Sequence, residues 1–216
     1  MWLLNSSIGR KLIMSLSGLF LITFLIVHLS ANLFIFGGEE AYVAACHFME
    51  NPVIIAMVPV LAAGFIIHIV YAFMLSMQNM KARGSERYAS GNKTPISWAS
   101  KNMLVLGIFL LCFLVLHLTQ FWAKMQLPFF LGEEGANPWV LAVETFSNPI
   151  YSIIYIIGIA ALWFHLTHGF WSAFQTVGLN NSIWISRWRT LGNIFATVVC
   201  LGFISIPVYF LLGLAA

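Results

Sequence analysis

The stretch GLFLITFLIVHLS, Gly18 to Ser30, decides how this chain is built. It carries no formal charge and lies inside a longer apolar run, 12–36. About 20 such residues cross the hydrocarbon core of a bilayer. Four further runs share this character, at 52–78, 100–122, 149–175 and 190–212. The chain of 216 residues is 61% hydrophobic and 8% charged, with a mean hydropathy of +0.91. That leaves too little polar surface to face water. The expected fold is an all-α integral membrane bundle of five transmembrane helices, forming one domain over 1–216. The first run is too long for a signal-peptide core, and Ser30, Ala31 and Asn32 form no small-residue cleavage site. It is expected to remain as an anchor.

The charges set an expected orientation, because cytoplasmic loops gather Lys and Arg. Of ten basic residues, Arg10, Lys11, Lys81, Arg83, Arg87, Lys93, Lys101, Arg187 and Arg189 fall on the N-terminal side of the bundle, leaving Lys124 opposite. Glu39, Glu40, Glu50, Glu133, Glu134 and Glu144 fall on the far side and Glu86 on the near one. This pattern predicts a cytoplasmic N-terminus and an outside C-terminus. The basic face reads as a topology signal and not as a nucleic-acid site.

Asn51-Pro52 and Asn148-Pro149 each place a capping side chain before a proline at the first helical position, and so mark helices entering from outside. The outer connectors, 37–51 and 123–148, mix aromatic and acidic residues and predict short interfacial helices. Pro59 and Pro207 fall inside the second and fifth runs, where a kink or a freed carbonyl is expected. The polar inner connector, 79–97, is a natural contact surface for a soluble partner.

The opening stretch also has a counterpart. GIFLLCFLVLHLT, Gly107 to Thr119, matches it at Gly, Phe, Leu, Phe, Leu, His and Leu. Pro52 to His68 and Pro149 to His165 are equal spacings of sixteen residues. The chain therefore reads as two related hairpins plus a fifth helix, related by a pseudo-two-fold axis along the membrane normal. Each of the first four runs holds one of His28, His68, His117 and His165. An ionisable group inside hydrocarbon costs a few kcal/mol, so it persists where it pairs or binds something. At 1.5 Å per residue, His28 lies ~12 Å inside the outer end of its run and His117 ~8 Å inside Trp122. His68 and His165 both lie ~15 Å from their inner ends. Two stacked bis-histidine sites follow, which suits two haem b groups with axial imidazoles. Zinc or copper fits less well, because neither level offers a Cys or carboxylate to complete a four-ligand shell. Cys46, Cys112 and Cys200 are scattered and form no covalent haem motif. The competing reading is that each His bonds a neighbouring helix.

His168 follows His165 by three residues and competes for the same role. The hairpin comparison aligns His165 with His68 and His168 with Tyr71, which favours His165. His168 and Tyr71 then read either as polar neighbours of the inner haem, reaching its propionates, or as interhelical packing. Gly64 and Gly169 read either as places where a flat macrocycle approaches the backbone or as close helix contacts. His47 and Glu50, in the outer connector, read either as groups exchanging the protons of quinone chemistry or as a solvated helix face. Trp98, Trp122, Trp139, Trp184 and Trp188 read as an interfacial belt.

With these residues in place, the chain resembles the dihaem cytochrome b membrane anchors of succinate dehydrogenases and fumarate reductases, of the kind built as one five-helix polypeptide. The likeness covers nearly the whole chain. It is carried by Phe24-Leu25-Ile26-Val27-His28-Leu29, the connector Ala45-Cys46-His47-Phe48-Met49-Glu50, His68, His117, and Phe164-His165 followed by Gly169-Phe170-Trp171. The resemblance implies haem ligation by His28 with His117 and by His68 with His165. It implies a flavoprotein with FAD and an iron–sulfur protein docked on the cytoplasmic face of a bacterial inner membrane, and a quinone, often menaquinone, near the outer haem. Glu50 matches a family position near that quinone, with His47 beside it. Two departures stand out. His168 is not a family ligand, and Trp163 occupies a place that is acidic in the fumarate reductase branch, where it is linked to transmembrane proton movement.

The expected function is electron transfer between a cytoplasmic dehydrogenase and membrane quinone, with no succinate chemistry in this chain by itself. The runner-up is the cytochrome b of another membrane oxidoreductase, such as a formate dehydrogenase or hydrogenase. A haem-free transporter with polar histidines is the reading from a different class.

Overall fold

The computed structural model describes residues 6–83 and 97–214. Five helices are long and apolar enough to cross a membrane, and the described residues form no strand. The chain is a multi-pass, all-α membrane protein. Apolar side chains lie outward as well as inward, with Ile66, Val105 and Val198 each more than three-fifths exposed. Such a surface, on helices of this length, suits the hydrocarbon of a bilayer.

Helix α1, Ser7–Asn32, starts where the Ser6 hydroxyl accepts the Gly9 N–H at 3.0 Å, and runs into a 3-10 turn, Leu33–Gly37. Gly38, at φ 85°, turns the chain into the connector helix α2, Glu39–Phe48, whose first-turn Glu39 and Glu40 suit the positive end of the helix dipole. Asn51 Oδ1 then accepts the N–H groups of Val53 and Ile54, at 3.1 and 3.2 Å, and opens α3, Pro52–Arg83. After residues 84–96, which include Glu86, Arg87, Lys93 and most of the inner connector and lie outside the described residues, comes the single turn α4, Trp98–Lys101. Helix α5, Met103–His117, passes through a π-helical turn, Leu118–Trp122, into α6, Ala123–Leu131. The connector helix α7, Pro138–Phe146, and the long α8, Pro149–Thr176, both start from Asn-Pro caps, and α9, Trp184–Leu211, completes the bundle.

Four spans reach further than the apolar runs suggest, the second continuing to Arg83. The third continues to Leu131, so the part of the connector after Trp122 prolongs the span. Nothing before Gly132 stops it: Pro128 cannot donate to the Lys124 carbonyl, but the Ala136 N–H takes that carbonyl at 2.9 Å. Gly132, left-handed at φ 77°, then ends the helix. The fifth span starts at Trp184, before the two arginines that mark its edge in the sequence. Their guanidinium groups lie over indole rings, Arg187 over Trp184 at 5.0 Å and Arg189 over Trp171 at 4.5 Å. Helix α1 likewise takes in Arg10 and Lys11 near its start. Pro59 and Pro207 lie inside helices that continue on both sides of them.

Helix α8 is central, packing against α9, α1 and α5, while α3 packs chiefly on α1. One buried cluster joins Ile35, Tyr42, Ala142, Phe146, Tyr155, Ile206 and Phe210, and so ties the connector helices α2 and α7 to the bundle. Another joins Ile159, Leu166, Ala196 and Cys200 between α8 and α9. Ser152, fully buried, donates to the Phe146 carbonyl at 2.7 Å and holds the α7–α8 corner.

Candidate functional site

Helices α1 and α5 each carry one histidine towards a shared space. His28 projects from the last turns of α1 and His117 ends α5, with ring centroids 5.7 Å apart. Phe24 stacks on His28 at 5.2 Å, Phe203 lies 5.6 Å from it, and Phe113 and Phe121 lie 6.3 and 5.5 Å from His117. Aromatic rings thus flank both imidazoles. His68 of α3 and His165 of α8 form the second pair, at 6.3 Å. In each pair the two carrying helices scarcely pack backbone to backbone, since α1 leans on α3 and α8, and α5 on α8. Each level is a gap bridged by imidazoles.

This spacing can be compared with what a metal requires. A metal–imidazole bond of about 2 Å, with the ring centre roughly 1 Å behind the nitrogen, places two rings on opposite sides of one ion about 6 Å apart. Both pairs lie at that separation. Among the described residues no three of His, Cys, Asp and Glu cluster as a closed metal shell. Two imidazoles at that spacing, with no further protein ligand among the described residues, fit an ion whose other positions are filled by a macrocycle.

The neighbouring residues divide. His165 and His168 both have a buried Nδ1 with no hydrogen-bond partner, but the His168 ring lies against Trp171, at 5.1 Å, and is not paired with His68. Tyr71, half-buried, follows His68 by three residues on α3. A Cβ at Gly169, four residues beyond His165, would meet nothing within 4 Å. At Gly64 it would lie 2.5 Å from the Phe20 ring, so that glycine serves close contact between α3 and α1. Trp163 donates to Thr197 at 3.0 Å, so it spends its polar atom on joining α8 to α9.

His47 and Glu50 lie apart from both pairs, at the end of α2, where ring Nδ1 and carboxylate oxygen are 2.8 Å apart. His47 is two-thirds exposed and Glu50 one-third. The buried neighbours on α2 behave differently. Burial pushes the Cys46 thiol up to about 11, an effect that the adjacent Glu50 reinforces and the Tyr42 hydrogen bond opposes. Burial, then Cys46, raises the Tyr42 phenol. Both stay protonated at neutral pH, and the Tyr42 hydroxyl donates to Asn32 Oδ1 at 3.3 Å.

Sequence reasoning passed over several polar residues that touch the pairs. Asn32 donates to the His28 carbonyl at 2.8 Å and lies 3.4 Å from its Nδ1. The Tyr155 ring is 6.0 Å from His117, and its hydroxyl donates to Gln120, in the π-helical turn, at 2.8 Å. Ser17 lies 3.3 Å from His68 Nδ1. The only signal available was a polar residue inside an apolar run.

Over 158 residues the chain is 29% identical to the succinate dehydrogenase cytochrome b558 subunit of Bacillus subtilis (strain 168). The chain is similar to a cytochrome b. The match covers 72% of this chain and 72% of that protein, and supports the resemblance carried by the histidine-bearing runs. No family model matches the chain, and no solved structure matches it.

Proposed function

We propose that this chain is the cytochrome b membrane-anchor subunit of a succinate:quinone oxidoreductase, with one b haem held between His28 and His117 and a second between His68 and His165. The observation that carries the reading is that both imidazole pairs stand at axial-ligand spacing across gaps between helices that scarcely touch. The likeness to the Bacillus subtilis subunit supports the choice of complex. A haem bound there supplies reversible one-electron chemistry at iron.

The protein's own residues supply the rest. The four imidazoles offer neutral nitrogen donors inside hydrocarbon, where a free charge is costly. Phe24, Phe113, Phe121 and Phe203 keep the His28–His117 level dry, and the space beside Gly169 gives the His165 level room for a flat ring. His168 and Tyr71, each three residues beyond a proposed ligand, would serve as polar neighbours of the inner haem. With basic residues gathered on the N-terminal side, that side is cytoplasmic, and the C-terminus lies outside the bacterial inner membrane. A flavoprotein with FAD and its iron–sulfur partner dock on the cytoplasmic face, nearer the His68–His165 level. Quinone, of the menaquinone type, reacts near the outer face, where the hydrogen-bonded His47–Glu50 pair takes up and releases protons.

A reduced-minus-oxidised spectrum of the purified full chain tests this. The expected result is b-type absorption from two haems per chain, with haem reduced by succinate when flavin and iron–sulfur subunits copurify. Absence of b-type absorption would overturn it, and haem that succinate fails to reduce in the complex would point to another membrane oxidoreductase.

A further inference from the structure

Ser17 stands on α1, one residue before Gly18, where α1 passes beneath the His68 ring. A Cβ added at Gly18 would already touch that ring, 3.4 Å from Cε1. Ser17 is buried, and its Oγ lies 3.3 Å from His68 Nδ1. The same hydroxyl donates to the Met14 carbonyl at 2.9 Å. A serine hydroxyl has one proton. With that proton on Met14, Ser17 meets His68 as an acceptor, and this arrangement assigns the hydrogen to Nδ1. A neutral imidazole has a single N–H, and Nε2 is left as a bare lone pair.

We propose that Ser17 is a positioning residue for the inner haem: it fixes His68 as the Nδ1–H tautomer and strengthens its Nε2 as an electron donor. The inference rests on the reading of His68 and His165 as an axial pair, and deepens it. A ligating imidazole whose other nitrogen donates a hydrogen bond is both oriented and made more basic. A more basic ligand favours the oxidised metal over the reduced one, so Ser17 holds the inner haem at a lower potential than an unsupported imidazole would. His165 makes no matching contact, since its Nδ1 is buried without a partner. The hydrogen-bonded side of the inner pair is therefore His68 alone.

The test is a redox titration of both haems in the full chain, comparing wild type with Ser17→Ala and Ser17→Thr. Ser17→Ala is expected to favour reduction of the inner haem on the order of tenfold, ~59 mV for a one-electron couple, with the outer haem unmoved. Ser17→Thr keeps the acceptor and is expected to keep the wild-type potential. Two unchanged potentials in Ser17→Ala, or equal shifts of both haems, would overturn the proposal while leaving the two-haem reading intact. If Ser17→Ala loses the inner haem, Ser17→Thr decides: retention at the wild-type potential supports the role, and loss there too refutes it. A wild-type chain without haem would refute the underlying reading and this inference with it.

Discussion

His165 and His168 share one helix and one defect, a buried Nδ1 without a partner, yet only His165 faces a second imidazole. Replacing His165 with Ala is expected to lower the haem-to-protein ratio by about half, whereas His168→Ala leaves both haems in place; pyridine haemochrome assay reads the difference. Loss of haem from His168→Ala alone would exchange their roles. At the other face, Glu50→Gln removes the carboxylate charge and its exchangeable proton beside His47 and is expected to slow quinone reduction about tenfold or more, with haem content unchanged. The histidines were legible because an ionisable ring in hydrocarbon demands a reason. Ser17, Asn32 and Gln120 were not, because a hydroxyl or amide in an apolar run is commonly spent on its own helix. Ser17 shows why: it bonds Met14, three residues away, and also His68, fifty-one away, and only the fold reveals the second contact.

Helix starts were easier to read than helix ends. Asn51 and Asn148 bind backbone N–H groups as their sequence predicts, because a cap is a local device. The end of the third span was not legible, since it depends on the Lys124 carbonyl finding Ala136 beyond the helix. The π-helical turn after His117 was also hidden, for no residue type encodes it. Glycine reads ambiguously for a related reason: Gly64 accommodates Phe20, whereas Gly169 borders open space, and both look alike in the sequence. Gly158, not singled out by its surroundings, is a further case. A Cβ there would lie 2.5 Å from the Phe113 ring, which in turn flanks His117 and Tyr155. Gly158→Ala is expected to cost about 1–3 kcal/mol through overpacking between α8 and α5. A lowered thermal midpoint, with the outer haem lost before the inner one, is the measurable outcome.

For the whole molecule, composition indicated the solvent and the five apolar runs the number of crossings, because lipid demands long apolar helices with satisfied backbones. Which helices touch was less accessible, since periodicity is weak where lipid and core are equally apolar. The proposed orientation makes its own prediction: a phosphatase active only outside the cytoplasm is expected to work when fused after the C-terminus and to stay silent when inserted into 84–96. The reverse pattern would invert the molecule and move the docking face for the soluble subunits. One further consequence follows from α1, which supplies His28 to one level and the Ser17 support to the other. Eleven residues separate them, a rise of about 16 Å, so a single covalent rod acts as the ruler between the two centres. If both levels hold haem as proposed, the chain itself sets the distance between them, and one inserted residue between those positions would rotate His28 by about 100° relative to Ser17.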